Sequence, residues 1–344
     1  MARSSKIDIS TYLSRNFTKS FLTIFLPLFF IGSLVFIIKI SALTASIQIN
    51  FIEMMRLFGY NLPAILFYTM PVSFLVAVVM TLLRLSNENE LMALFALGAS
   101  AKFVLYRFFV IATLFSIILL ILSLGLMPKT KQQYNAFKYE KSTHAQVNIH
   151  PSKLGQKFGN LFVYVKDKKN DSLNHIAIYN KDSKHSDQLF IAENAKIENR
   201  DSVVTLTLNR GSGYTFTGDA LREVNYEKMQ IFQNLNTKAF TYSSILNYWI
   251  QLSLNPKKRS KILFFIFTSL IPMMALAIVA SFSIINPRYQ KNYAYQVLAL
   301  TTITLYGIAS FLKRDGTLFL FTLFVTVTFL LGILLYRHYV LRFL

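Results

Sequence analysis

The chain has no cysteine, a single tryptophan, and only 16 acidic residues against 36 basic ones in 344, a formal net charge of +20. The missing cysteines exclude disulfides, thiolate metal sites and cysteine nucleophiles. None of the acids falls inside a long apolar run. Ion-coupled carriers place ionisable groups at membrane depth, so spans this bare point to an energy source outside the chain. The five histidines, His144, His150, His175, His185 and His338, form no H-x-x-x-H or H-E-x-x-H pair, and no zinc site is expected. No G-x-x-x-x-G-K-[ST] loop and no G-x-S-x-G elbow occurs. The polypeptide therefore carries no recognisable catalytic centre.

What is present is apolar. Hydrophobic residues make up 53% of the chain, 32 residues are phenylalanine, and charged residues are only 15%. This is the composition of a polytopic membrane protein. The basic residues outside 128–260 flank apolar segments, where anionic lipid headgroups sit, which argues against nucleic acid as a partner.

Six segments are long enough to cross a bilayer: Phe21–Ile40, Tyr60–Leu83, Phe103–Met127, Ile262–Ile285, Ala294–Leu312 and Thr317–Tyr336. The first is too long for a signal-peptide core and no clear A-x-A site follows it, so it reads as a retained helix. Pro27, Pro63, Pro71 and Pro272 lie inside spans, where neighbouring helices re-satisfy freed backbone groups.

Short-loop lysines and arginines set the orientation. Arg3, Lys6, Arg15, Lys19, Arg84, Lys102, Arg107, Arg288, Lys291, Arg337 and Arg342 all fall on one side of an even number of spans. That side is expected to be cytoplasmic, with both termini. The polar stretch 128–260 then lies outside. Its 20 Lys+Arg and 11 Asp+Glu give 20 − 11 = +9, but long segments translocate largely regardless of charge.

Three regions result: 1–127 with spans one to three, 128–260 as an outer domain with a helical lead-in over 128–150, and 261–344 with spans four to six. In the outer region Leu161–Val165, His175–Tyr179, Gln188–Ala192, Ser202–Leu208, Tyr214–Phe216 and Glu223–Phe232 read as short strands. Asn209–Gly213 reads as a turn between two of them. The pattern suggests a sandwich or jelly roll, whose exposed edge could accept a partner's strand.

One short segment fits none of these roles. In Arg84–Ser100, RLSNENELMALFALGAS, two carboxylates precede seven apolar residues, Leu91–Leu97, closed by Gly98. The pattern predicts a helix over about 87–97, with Ser86 or Asn87 as N-cap, Glu88 and Glu90 at the positive end of the dipole, and Gly98 at C′. A surface helix needs a polar face along its length, and 91–97 has none. Such a helix suits a groove in a cytoplasmic partner. That is the logic of a coupling helix, with Glu90 on a cationic partner residue and Leu91, Leu94, Phe95 and Leu97 filling the groove.

These residues also carry a resemblance. Glu90-Leu-Met-Ala-Leu-Phe-Ala-Leu-Gly98-Ala-Ser100 resembles the Glu–aliphatic–Met–Ala–Gly-x-Ser pattern of the LptF/LptG (YjgP/YjgQ) permeases of the lipopolysaccharide exporter. Leu62-Pro63, Met70-Pro71-Val-Ser-Phe-Leu75, Met80–Leu85, Asn286-Pro287-Arg288, Ser310–Lys313, Val203–Leu206 and Gly213–Gly218 continue it in the same order along nearly the whole chain, closer to LptF than to LptG. The chain departs from the pattern at Asn89, where the family has an acidic step, and at Ala42, where a second basic residue is common.

The resemblance implies a non-catalytic permease subunit of an ATP-driven inner-membrane transporter. Its partners would be an LptG-like permease, an LptB-like ATPase dimer holding ATP-Mg, and LptC- and LptA-like periplasmic proteins. Its substrate would be lipopolysaccharide, passing between spans one and five. Lys39, Lys313 and Arg314 at the outer ends of those spans are then substrate contacts or interfacial anchors, and Lys257-Lys258-Arg259 is open between the same two roles. The competing reading is a membrane scaffold whose β-domain binds an envelope partner and moves nothing.

Overall fold

The computed structural model describes residues 9–44, 49–145, 156–158, 161–169, 172–181, 187–200, 203–217, 220–234, 244–253, 256–286, 289 and 291–342. The chain divides into two compact units, one of residues 1–40, 55–133 and 243–344, the other of 41–54 and 134–242.

The first unit is helical. Its elements are α1 (Ile9–Thr44), α2 (Phe51–Asn87), α3 (Glu90–Ala96), α4 (Ala101–Leu120), α5 (Met127–Ala145), α6 (Ile245–Ser253), α7 (Pro256–Ser283), α8 (Ala294–Asp315) and α9 (Leu318–Tyr336), with the end of α1, the start of α2 and the end of α5 counted in the second unit. Six helices in the described residues have the length and apolar content to cross a membrane. Each of the six matches a segment named from the sequence, although the fourth of them ends at Ser283 rather than Ile285, the sixth starts at Leu318 rather than Thr317, and α1 begins twelve residues earlier, at Ile9 rather than Phe21 (21 − 9 = 12). Polar residues interrupt this lead, so hydropathy alone misses it. Leu13 and Phe17 are nonetheless fully buried in the bundle.

Spans two and four form the centre, with 61% and 67% of their apolar windows buried, against 6% for span one. An aromatic chain runs through the interior, with Phe17 tilted against Phe74 and edge-on to Phe108 and Phe115, and Phe67 edge-on to Phe264 and Phe265. Hydroxyls join the spans where apolar packing gives no direction. Ser123 and Ser269 meet at 3.2 Å. Ser86 donates to the Ser283 carbonyl at 3.0 Å and accepts the Ile285 N–H at 3.3 Å. Gly332 lies where a Cβ would meet Ala277 Cβ at 3.1 Å, which lets α9 approach α7.

Residues Ile121–Leu126 form a π-helical stretch joining α4 to α5, so the lead-in helix continues span three as far as Ala145. The α6 segment falls in the helical unit rather than with the strands. Trp249 explains this, because its indole N–H donates to the Leu124 carbonyl at 2.7 Å and its ring packs edge-on to Phe265.

The second unit holds β1 (Gln156–Phe158), β2 (Leu161–Lys169), β3 (Ser172–Lys181), β4 (Asp187–Arg200), β5 (Val203–Thr217) and β6 (Ala220–Asn234). They form one antiparallel sheet in sequential order. The expected inserted β-domain is present, and among the described residues each strand pairs with its neighbour in sequence. Period-two alternation is the same in a meander and a Greek key, so the strand pattern could not separate them.

Asn209–Gly213 is not a turn. It lies inside β5, where Arg210 has φ 51°. His175 in β3 has the same left-handed backbone. Beside these two residues the buried face shifts by one position. Ile176 and Leu173 are both buried although three apart, as are Ala192 and Ala195. Regular alternation would put such pairs on opposite faces. Arg210 and Glu193 bridge this line at 3.2 Å.

Gly211 sits next to it. A Cβ there would lie 2.1 Å from the Ile191 carbonyl oxygen and 2.7 Å from the Tyr226 hydroxyl. The missing side chain lets Tyr226 donate across β5 to that carbonyl at 3.0 Å. Gly211→Ala is expected to cost roughly 1–3 kcal/mol, as overpacking does. Hydrogen exchange should show amides of β4–β6 opening about fivefold to a hundredfold faster, with helical amides unchanged.

Candidate coupling helix and outer cation cluster

The sequence places the start of the short helix at Ser86 or Asn87. The structure places it at Glu90, because α2 continues through Asn87. Ser86 is committed to α7 and cannot cap. The Glu88 N–H donates to the Arg84 carbonyl at 2.9 Å, so Glu88 closes the last turn of α2 rather than opening α3. The chain reverses at Asn89, which has φ 58° and ψ 10°. Asparagine enters this left-handed region more readily than most side chains, so the departure at Asn89 supplies the corner.

The far end closes as the sequence suggests. Gly98 has φ 91°, its N–H donates to the Phe95 carbonyl at 3.0 Å, and the Ala99 N–H reaches the Leu94 carbonyl at 3.0 Å. These two bonds are the Schellman pattern with Gly98 at C′. Nothing lies within 4 Å of a Cβ built on Gly98, so backbone conformation and not crowding calls for glycine. Ser100 then caps α4, its Oγ accepting the Phe103 N–H at 3.2 Å.

The apolar residues of α3 divide into two sets. Leu91 is fully buried in the bundle core, and Leu94 and Phe95 pack against the same core. Leu97 stands out, 83% exposed, beside exposed Ala93, Ala96 and Gly98. Part of the groove that an all-apolar helix demands is thus supplied by this chain itself. Leu97 is the residue left to an outside surface.

Glu90 is also held within the chain, accepting a hydrogen bond from the Tyr12 hydroxyl of α1. One turn further along α1, Asn16 Oδ1 accepts from Arg84 Nη2 at 2.6 Å. Two polar residues at i and i+4 of α1 therefore seize the α2–α3 joint from one side. Tyr12, Asn16 and Arg84 were not singled out from the sequence. The Tyr12-x-x-x-Asn16 spacing ahead of the apolar run was the available signal. Tyr336 completes the support, its hydroxyl donating to the Ala101 carbonyl at 2.7 Å.

At the other end of the bundle, Lys39 is exposed, its Nζ 5.9 Å from the Phe36 ring centroid. Lys313 Nζ lies 5.3 Å over the Phe264 ring. Lys131 of α5 feels both Lys313 and Lys261 of α7 electrostatically, so three helices bring like charges together. Lys131 and Lys261 are the cations that sequence reading missed, since they are distant from Lys313 in the chain. Arg314 differs from them, because it is paired with Asp315 at 2.7 Å. Arg259 is exposed, while the side chains of Lys257 and Lys258 lie outside the described residues. Of the Asn-Pro-Arg motif, Pro287 and Arg288 also lie outside them.

Among the described residues, six helices with the length and apolar content to cross a membrane, a β-sheet domain inserted between the third and fourth, and a short helix between the second and third define a multi-pass membrane protein with an inserted β-domain. Residues 11–338 match the family described as lipopolysaccharide export system permease LptF/LptG, and the chain belongs to that family. It is thus a multi-pass inner-membrane protein and a permease component of the lipopolysaccharide export system. No individually curated protein matches the chain.

Proposed function

We propose that this chain is the LptF-like permease of an ATP-driven exporter that lifts lipopolysaccharide out of the inner membrane. It pairs with an LptG-like permease on an LptB-like ATPase dimer, which holds the ATP-Mg. The termini and α3 face the cytoplasm and the sheet domain faces the periplasm. Lipopolysaccharide enters between spans one and five, past Lys39, Lys313 and Arg314, and leaves by way of LptC- and LptA-like proteins.

The observation that carries this reading is α3. It is fastened to the bundle through Leu91 and Glu90 and presents Leu97 outward, as a transmission peg must be. The nearly unburied span one suits a partner permease, and the lysines around Lys313 suit phosphate or acidic sugar. Strand β6 forms one edge of the sheet, with Leu221, Val224 and Phe232 exposed along it, which suits strand addition by a periplasmic partner.

The test is to isolate the protein from its own membranes and identify what accompanies it, in wild type, Glu90→Lys and Tyr12→Phe. A second six-span permease and a P-loop ATPase should accompany the wild type. Glu90→Lys loses the Tyr12 bond and sets a cation at the positive end of α3, so it should lose the ATPase or uncouple its hydrolysis from transport. Tyr12→Phe frees Glu90 without removing it. Coupling lost in both variants would make the α1 bond the working contact. Coupling lost only in Glu90→Lys would place a partner's cation on Glu90. A protein that comes out alone would support the scaffold reading instead.

A further inference from the structure

Spans three, four and six line an open cavity of about 760 Å³ at the α3 end of the bundle. Lys102 of α4 and Arg337 and Arg342 beyond α9 line it, and among the described residues no carboxylate does. The rest of the wall is apolar or aromatic, including Leu105, Phe109 and Ile333. Its position is fixed by the Tyr336–Ala101 bond, which brings the end of span six to the first residue of span three. Ala101 follows the Gly98–Ser100 closure of α3, so the cavity lies at the root of that helix.

A second feature shapes it. Residues Arg337–Leu341 are π-helical. In an α-helix, residues five apart point about 140° away from each other, from 3.6 residues per turn. The i→i+5 bonding of a π turn brings them back towards one face. Arg337 and Arg342 accordingly line the same cavity, together with Leu341. π turns are uncommon, and this one gathers two guanidinium groups above an apolar wall.

We propose that this cavity binds the headgroup of an anionic phospholipid, the phosphodiester on Lys102, Arg337 and Arg342 and the upper acyl chain along Phe109 and Ile333. The volume lies within the range of ordinary ligand pockets. Basic pockets between membrane helices recognise anionic headgroups in this way. A free phosphate would use the three cations and leave the apolar wall wet. A zwitterionic lipid would bring its own cation into a site that holds three cations and, among the described residues, no carboxylate. The inference requires only that the chain spans a membrane, and it stands apart from the ATPase reading.

The test is native mass spectrometry of the purified full-length protein, with its partners, equilibrated with phosphatidylglycerol or phosphatidylethanolamine. One phosphatidylglycerol should be retained in preference to phosphatidylethanolamine. The Arg337→Gln/Arg342→Gln variant should weaken retention about 25-fold, from about fivefold per cation. Lys102→Gln, at an exposed position that does not threaten folding, should weaken it about fivefold. Lys291→Gln, an exposed cation elsewhere on the bundle, should leave it unchanged. Equal retention of the two lipids, or an equal effect of Lys291→Gln and Lys102→Gln, would overturn the proposal. Complete displacement by millimolar inorganic phosphate would also overturn it, leaving a phosphate site.

Discussion

Leu97→Asp is expected to leave a well-folded protein that no longer holds the ATPase proposed as its partner. The side chain is 83% exposed, so its loss removes almost nothing from the bundle core. Burying one leucine at a partner surface contributes about 1.5–3 kcal/mol, and an aspartate there would have to be desolvated as well. Binding of the purified ATPase should weaken at least about tenfold, since 1.4 kcal/mol corresponds to a factor of ten. Thermal unfolding of the isolated permease should be unchanged. Leu91→Asp gives the opposite pattern. Leu91 is fully buried, so this substitution should unfold the α3 region and lower stability before any partner is added. If Leu97→Asp binds the ATPase as tightly as wild type, α3 is a structural corner and the peg reading fails.

The second large effect is expected at the end of the bundle away from α3. Lys39→Glu combined with Lys313→Glu should reduce lipopolysaccharide photocrosslinking near spans one and five roughly tenfold, as loss of charge-assisted contacts would. Co-purification of the ATPase should survive, because both residues lie far along their helices from α3. Lys131→Glu should act in the same direction, since Lys131 belongs to the cation group around Lys313. Arg314→Glu should act more weakly, because its guanidinium is already paired with Asp315. Raising the salt concentration should shrink all these differences if the cations remain water-exposed when substrate is bound. Unchanged crosslinking in the double variant would return Lys39 and Lys313 to interfacial anchors. The lysine over Phe264 would then be explained by its ring contact alone.

The sequence by itself determined the number and order of the spans, because a bilayer accepts only runs of about twenty apolar residues and these are countable. It placed the inserted β-region through its strand periodicity, and the C-terminal end of α3 through Gly98, whose positive φ only a few residues tolerate. Local chemistry also explains why Ser100 opens α4. The tertiary structure decided the rest, and in each case the deciding contact joins residues far apart in the chain. Ser86 was a plausible cap until α7 claimed it, 197 residues away. Glu90 was an unpaired carboxylate until α1 brought Tyr12 to it, 78 residues away. Hydropathy started span one at Phe21, whereas Leu13 and Phe17 extend the buried helix towards the N-terminus because the bundle offers them a core. Strand order could not be read because alternation encodes which face is buried and says nothing about which strand lies beside which. The cations around Lys313 and the cavity of Lys102, Arg337 and Arg342 exist only once separate helices meet. Like charges brought together from distant segments leave no periodic trace in a sequence.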